Sequence, residues 1–176
     1  MIARALVISM FFICTLANGQ NSLHDEVRML YCSGWEGMCG AKELAHKLKD
    51  ENLGDNMVLL AYRGAAISTL ANCESMPWNK YDYFKSGKKE IELAVNGDPQ
   101  NWEIRFIRFT VQSHIPDFLN YNNLDEDKNI VLNALYLNLQ QEGTGDFYYT
   151  VSEIMLSSEL LSEGEKEQLK KLLSKT

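Results

Sequence analysis

The stretch from Asn56 to Glu74, NMVLLAYRGAAISTLANCE, decides the fold. Its apolar residues cover nearly every side of a helix, and a helix that is apolar all round must be buried. Its small residues recur at i, i+3, i+7 and i+10, so a neighbouring helix can approach closely along that stripe. The stretch therefore predicts a central, tightly packed helix, in which the small residues are Ala61, Gly64, Ser68 and Ala71.

Helical periods continue on both sides of this stretch, and no sustained period-2 alternation predicts a strand. Asp55 is expected to cap the central helix, since Asp is a favoured N-cap residue. The pattern predicts an all-α domain of seven or eight helices, paired as antiparallel hairpins by short connections. Six further helices flank it on the N-terminal and C-terminal sides, together with one at the C-terminus. They are expected from Leu23 to about Cys32, from about Ala41, after Phe84 up to Asn96, from about Asn101 to Pro116, from Leu124 to about Gln141, up to Ser158, and from about Glu163.

Length and charge limit what this domain can be. A chain of 176 residues is long enough for one domain of ordinary size. Its formal net charge of -7 has the wrong sign for a surface that must neutralise phosphates. We therefore expect a single domain without a nucleic-acid partner.

The first residues have the features of a signal peptide. Arg4 supplies a positive charge, and the run from Ala5 to Ala17 is uncharged and mostly apolar. This run is shorter than the ~18 to 20 residues that cross a bilayer, and Ala17 and Gly19 have the small side chains of a cleavage site. We expect cleavage after Gly19, or after Ala17, and an exported domain over residues 20–176, periplasmic or extracellular and without a membrane span. A retained membrane anchor is the alternative.

Export would make disulfides possible among the remaining cysteines, Cys32, Cys39 and Cys73. Three is an odd number, so at most one bridge can form within the chain. We expect all three to lie at one end of the helical array, because the first helix ends near Cys32, the second starts after Cys39 and the third returns to Cys73. Buried, unpaired cysteines are the alternative.

No segment has the spacing of a catalytic or metal-binding signature. The sequence contains no H-E-x-x-H, G-x-S-x-G, P-loop or G-x-G-x-x-G pattern. The acids at 125–127 lack the spacing of a calcium loop and are typical of a helix start. We expect no metal or cofactor, and we expect exposed or capping roles for His24, His46 and His114.

Arginines form the most informative polar pattern. Arg105 and Arg108 lie on one polar stripe of an otherwise apolar helix, between Asn101 and Gln112. Two guanidiniums at such positions must meet carboxylates, because an unpaired buried charge costs several kcal/mol. One alternative is pairing with acids of the chain, such as Glu90, Glu92 or Asp117. The other is a groove that binds a partner carboxylate, formed by Arg63, Arg105, Arg108, Tyr62 and Gln112.

Four aromatic residues, Trp78, Tyr81, Tyr83 and Phe84, lie within seven positions of one another. Packing in the core is the first interpretation of such a cluster, because aromatic side chains dominate protein cores. The alternative is an exposed patch that forms an interface with a partner.

The segment from Gly87 to Asn101 reads G-x3-I-x2-A-x3-D-P-x-N, and it resembles the second helix and closing turn of a tetratricopeptide repeat. The resemblance covers about one half-repeat and implies a layered array of helix hairpins. Small residues at Gly87 and Ala94 would admit a partner helix. The chain also looks like uncharacterised secreted all-helical bacterial proteins with A-Y-x-G-A-A and E-I-R-F-x-R segments, present here at 61–66 and 103–108.

These observations favour a binding protein over an enzyme. Tetratricopeptide-like folds commonly bind peptide tails in a groove, so the resemblance implies a module that binds another envelope or secreted protein, or a peptide, without catalysis. The alternative is a small enzyme or ligand-binding protein with an arginine-lined anion pocket.

Overall fold

The computed structural model describes residues 17–33, 41–141 and 144–175, and over these residues the chain forms eight α-helices and no strand. The predicted all-α class is confirmed. Two 3-10 turns, at Leu70–Cys73 and Asp117–Leu119, follow the third and fifth helices. The helices are α1 Ala17–Ser33, α2 Ala41–Lys49, α3 Met57–Thr69, α4 Pro77–Gly97, α5 Trp102–Gln112, α6 Leu124–Asn138, α7 Asp146–Ser157 and α8 Glu163–Leu173.

The closest helix packing joins α3 to α4. A Cβ atom built on Gly87 would lie 2.3 Å from the carbonyl oxygen of Gly64 and 2.5 Å from the backbone nitrogen of Ser68. Real Cβ atoms do not approach other atoms this closely, so the two backbones touch where both helices have small residues. The close approach expected from the small residues of both helices is confirmed.

Helix α5 is the second central helix, and every residue from Glu103 to Gln112 is buried. Its N-cap residue is Asn101, whose side chain accepts hydrogen bonds from the backbone N–H groups of Glu103 and Ile104 at 3.1 and 3.4 Å. Asparagine caps a helix in this way because its side chain satisfies N–H groups that have no partner within the helix. The cap fixes the residue at which α5 starts, and it thereby fixes the side of the helix on which Arg105 and Arg108 lie.

The helices are arranged in order along the chain. Helices α1, α3 and α5 contact one another in turn; α2 packs on α1 and α3, α4 packs on α3 and α5, and α6 packs on α5. Helices α7 and α8 pack on α6 and on each other. This order is that of a layered array of hairpins, and membership of the tetratricopeptide family stays a prediction.

Several helix ends differ from the sequence-based expectation. Asn56, not Asp55, caps α3, because the Asn56 side chain accepts a hydrogen bond from the backbone N–H of Leu59 at 3.0 Å. Helix α3 ends at Thr69, where the chain tightens into a 3-10 turn, and α5 ends at Gln112, before Pro116. Helix α6 ends at Asn138. A helix ends where its backbone tightens into a 3-10 turn or where a side chain caps it. The pattern of apolar residues in the sequence continues past these points, so it does not show where the helix ends.

The expected signal peptide falls mostly outside the described residues, which begin at Ala17. Both expected cleavage points lie in the first turn of α1. Among the described helices, none combines the length and the apolar character needed to cross a membrane.

Candidate functional site

The arginine stripe of α5 meets one buried carboxylate. Asp127, at the start of α6, is fully buried, and Arg108 binds it with two hydrogen bonds, from Nε to Oδ2 and from Nη2 to Oδ1, both 2.7 Å long. Arg105 donates from Nη1 to Oδ1 of the same carboxylate at 2.9 Å. Three charge-assisted hydrogen bonds on one acid are a strong arrangement. The stripe therefore joins α5 to α6.

Further partners complete this arginine cluster. Arg105 also donates to the backbone oxygen of Pro99 at 2.9 Å and pairs with Glu126 at 3.0 Å. Arg108 contacts Glu92 at 3.2 Å. Burial by itself would lower the pKa of Arg108, but the Asp127 carboxylate outweighs that effect and raises the pKa. Arg105 and Arg108 therefore contact acids of the same chain, which is the first of the two alternatives stated for them.

The other members of the expected carboxylate site lie in different places. Arg63 donates to Glu90 at 2.9 Å, and the buried Tyr62 hydroxyl donates to Glu103 at 2.8 Å. The Gln112 amide is buried and has no hydrogen-bond partner within the described part of the chain. It lines a small cavity of about 90 Å³. The five residues therefore do not converge on one pocket.

Glu103 is a buried acid that sequence reasoning did not single out. Besides Tyr62, it accepts a hydrogen bond from His24 at 3.0 Å and two from Arg28 at 2.8 and 2.6 Å. Both partners lie on α1, so the carboxylate holds α1 against the core. The signal available in the sequence was an acid within a helix that is apolar on two faces. His24, expected to be exposed or capping, is instead part of this cluster.

The Glu103 carboxylate has a pKa of about 2. Burial alone would raise this pKa, but the hydrogen bonds and charge of Arg28, with the hydrogen bond from His24, outweigh burial and lower it. Because the folded-state pKa lies below the unfolded value of 4.5, the charged form stabilises the fold fully above pH 4.5. That stabilisation is lost as the pH falls toward about 2.

We expect the free energy of unfolding of Glu103→Gln to lie below that of the wild-type protein by on the order of 2 kcal/mol at pH 6. The gap should narrow as the pH falls from 4.5 to 2, because over this range the Glu103 carboxyl takes up a proton in the unfolded wild-type chain but stays charged in the folded protein. Urea unfolding of both proteins across this pH range measures the gap. A gap that stays constant down to pH 2 would contradict the assignment of the lowered pKa to Glu103.

The described cysteines differ in state. Cys73 is disulfide-bonded and Cys32 is a free thiol, while Cys39 lies outside the described residues. Burial raises the pKa of the Cys32 thiol to about 11, so this thiol is protonated at neutral pH and is a poor nucleophile. Tyr31 and Asn72, which directly precede Cys32 and Cys73 in the sequence, both line one large cavity, described below. Cys32 and Cys73 therefore lie at the same end of the array.

The aromatic residues at the start of α4 divide between core and surface. The Phe84 ring is buried and Tyr83 is half-buried. Trp78 is 64% exposed and Tyr81 is 52% exposed. The core interpretation therefore describes Phe84, and the exposed-patch interpretation describes Trp78 and Tyr81.

Tyr81 forms part of the rim of a large cavity, which we call the apolar groove. It has a volume of about 750 Å³ and lies between the C-terminal ends of α1, α3 and α5 and the N-terminal ends of α2 and α4. Phe118, in the 3-10 turn after α5, is 79% exposed on the same rim. A volume of this size lies within the ~300 to 1,000 Å³ of ligand-binding clefts. Its floor is formed by buried residues, Tyr31, Leu44, Ala66, Phe84 and Val111.

Among the described residues, the lining of the apolar groove is mostly apolar and contains no acid; its polar side chains are those of Tyr31, Ser68, Thr69, Asn72, Lys80, Tyr81 and His114. Lys80 and His114 are the basic residues of the lining, and His114 contacts the backbone oxygen of Thr110 through Nδ1 at 2.8 Å. The described residues contain no group of three or more His, Cys, Asp and Glu side chains that would hold a metal ion. The groove is therefore a surface for apolar contact with a few polar groups.

Comparison with known proteins adds no family to these observations. No protein-family model matches the chain, and no curated protein or solved structure matches it.

Proposed function

We propose that the protein is a non-catalytic binding module, exported from the cell, that takes a segment of a protein or peptide partner into the apolar groove. The observation that carries this proposal is the groove itself, with its buried apolar floor and with Tyr81 and Phe118 exposed on its rim. Exposed aromatic side chains beside an apolar cleft are typical of surfaces that bind a partner.

The state of the reactive side chains supports binding over catalysis. Each of the four described arginines contacts a carboxylate of this chain. The Cys32 thiol has a raised pKa, and Glu103 is held by four hydrogen bonds to three partners. These groups are engaged in the fold, so they are not available to a substrate. No observation favours the arginine-lined anion pocket as a second function.

Phe118→Asp is expected to weaken peptide binding by about tenfold or more, because burial of an aromatic side chain contributes ~1.5 to 3 kcal/mol. Short peptides selected from a random displayed library against the wild-type protein serve as the probe, and fluorescence anisotropy measures their affinity. Folding should be unchanged, since Phe118 is 79% exposed.

Leu137→Asp is the matched control. Leu137 lies on α6, is 66% exposed and does not line the groove, so its replacement introduces the same charge at an apolar surface position elsewhere. Selected peptides should bind this variant as they bind the wild-type protein. A library that yields no binding peptides, or peptides that bind Phe118→Asp equally well, would contradict the proposed function.

A further inference from the structure

Gln112, the last residue of α5, has a buried side-chain amide that the fold leaves unpaired. The residue is 3% exposed, and neither Nε2 nor Oε1 has a hydrogen-bond partner. Over residues 17–33, 41–141 and 144–175, no other buried side-chain nitrogen or oxygen is in this state. Buried polar groups in proteins are nearly always hydrogen-bonded, because a donor or acceptor removed from water without a new partner destabilises the fold. The Gln112 amide therefore needs a partner that the fold does not supply.

A cavity of about 90 Å³, which Gln112 lines, gives such a partner a place. It lies between the C-terminal end of α5 and the N-terminal end of α6, and we call it the amide cavity. The other described residues of its wall are Ile115, Pro116, Asp117, Tyr121, Asn122 and Leu124. A volume of this size takes about three water-sized groups at ~30 Å³ each, so it suits a ligand group of three or four heavy atoms. A sugar ring or a nucleobase is too large for it.

The two polar atoms of Gln112 limit the chemistry of the ligand. Nε2 donates hydrogen bonds and Oε1 accepts them, so a ligand that satisfies both must offer an acceptor and a donor side by side. A primary carboxamide does so, because its C=O and NH₂ groups can pair with those of Gln112 in two hydrogen bonds. A carboxylate only accepts, and an ammonium or guanidinium only donates, so each of these would leave one atom of Gln112 unpaired.

The charges near the amide cavity also favour a neutral ligand. Asp117 is the charged residue among the described lining residues, and three more acids lie in the first turn of α6, so an anion would be repelled. A metal cation would find one carboxylate in the wall, and the described residues contain no group of three or more His, Cys, Asp and Glu side chains. The Tyr121 hydroxyl already donates to Glu92 at 2.6 Å.

We infer that the amide cavity binds a primary carboxamide, whose carbonyl oxygen accepts from Nε2 of Gln112 and whose amino group donates to Oε1. The carboxamide is either that of a small free molecule or that of an Asn or Gln side chain of a partner. Ile115 and Leu124 supply apolar contacts for the carbon atoms next to it. Gln112 does not line the apolar groove, so this binding does not require a partner in that groove.

The test is a titration of the ¹⁵N-labelled protein with acetamide, followed by ¹H–¹⁵N spectra that include the side-chain NH₂ group of Gln112. We expect saturable shifts of that group with a dissociation constant on the order of 10 mM, a value suited to a ligand of four heavy atoms. Acetate at pH 7 and N,N-dimethylacetamide have a similar shape but no N–H donor. Both should bind at least about tenfold more weakly, because Oε1 then stays unpaired.

Gln112→Met keeps the length of the side chain and removes both polar atoms, so it should abolish the backbone shifts that acetamide causes around the cavity. Its melting temperature should not fall, because the change removes an unpaired buried amide. Gln168→Met is the matched control, since Gln168 is exposed on α8 and does not line the cavity. This variant should bind acetamide as the wild-type protein does. Should Gln112→Met fail to fold, the comparison of the three compounds on the wild-type protein decides the question.

Three results would overturn the inference: no saturable shift with acetamide, which would leave water as the only partner of Gln112; equal binding of the three compounds; or the same shifts produced by calcium ions. The source of the carboxamide is distinguished by the N-acetyl methylamides of asparagine and glutamine. Binding of either one that Gln112→Met abolishes supports a side chain of a partner. Binding of acetamide but of neither derivative supports a small free amide.

Discussion

Asp127→Ala is expected to lower the free energy of unfolding by about 3 to 5 kcal/mol. Asp127 is fully buried, and its two oxygens bind Arg105 and Arg108, which are themselves buried. Removing the carboxylate leaves two buried guanidiniums whose remaining described partners are the backbone oxygen of Pro99 and the partly exposed acids Glu92 and Glu126. Urea or thermal unfolding of the variant measures the loss.

Asp125→Ala is the control for this substitution. Asp125 lies two residues away at the start of the same helix, and its side chain is 95% exposed and pairs with Lys128 at 3.5 Å. Exposed ion pairs contribute ~0 to 1 kcal/mol, so this variant should unfold nearly as the wild-type protein does. Equal stability of the two variants would contradict the buried position of Asp127.

The same cluster can be tested from its cationic side. Arg105→Met and Arg108→Met should each lower stability by about 3 kcal/mol or more, because each leaves Asp127 with too few partners. Combining Arg108→Met with Asp127→Leu should cost less than the sum of the two single changes, since the pair is removed together. Melts that stay unchanged, together with lost binding of acidic peptides, would instead identify these arginines as a binding site.

Gly87→Ala is expected to lower the free energy of unfolding by about 3 kcal/mol, at the upper end of the range for overpacked cores. The new Cβ would lie 2.3 Å from a backbone oxygen and 2.5 Å from a backbone nitrogen of α3. Backbone atoms cannot move aside as a flexible side chain can, so α4 would have to shift away from α3. The gain in helix propensity, about 1 kcal/mol, cannot offset this.

Gly164→Ala provides the control, because Gly164 also lies in a helix, α8, and a Cβ there meets no atom within 4 Å. Only the propensity gain remains, so this variant should be as stable as the wild-type protein or slightly more stable. Chemical unfolding compares the two variants directly. A Gly87→Ala protein as stable as Gly164→Ala would show that the two helix backbones do not touch.

The helical class and the close packing of α3 on α4 could be predicted from the sequence, because both follow from local periodicity. An apolar residue every three or four positions favours a helix in any surroundings, and small side chains permit close approach wherever the partner helix lies. The residues at which the helices end were predicted less accurately. Asn56 rather than Asp55 caps α3, since the choice between adjacent capping residues depends on the exact turn of the chain.

The candidate site was only partly predictable. The sequence placed Arg105 and Arg108 on one stripe and required carboxylates for them, but it pointed to Glu90, Glu92 or Asp117. Glu92 does contact Arg108, while the main partner is Asp127, which by sequence looked like an ordinary acid at a helix start. The apolar groove was not predicted at all, because its residues come from five helices and two turns.

The sequence by itself determined that the chain forms helices, which helices are central, and that the charges of α5 need partners. These properties depend on residues near one another along the chain. Only the tertiary structure decided that Asp127 binds both arginines, that Glu103 holds α1, and that Phe118 and Tyr81 flank one cleft. Such pairings join residues far apart in the sequence, and they depend on how the helices cross, which local periodicity leaves open.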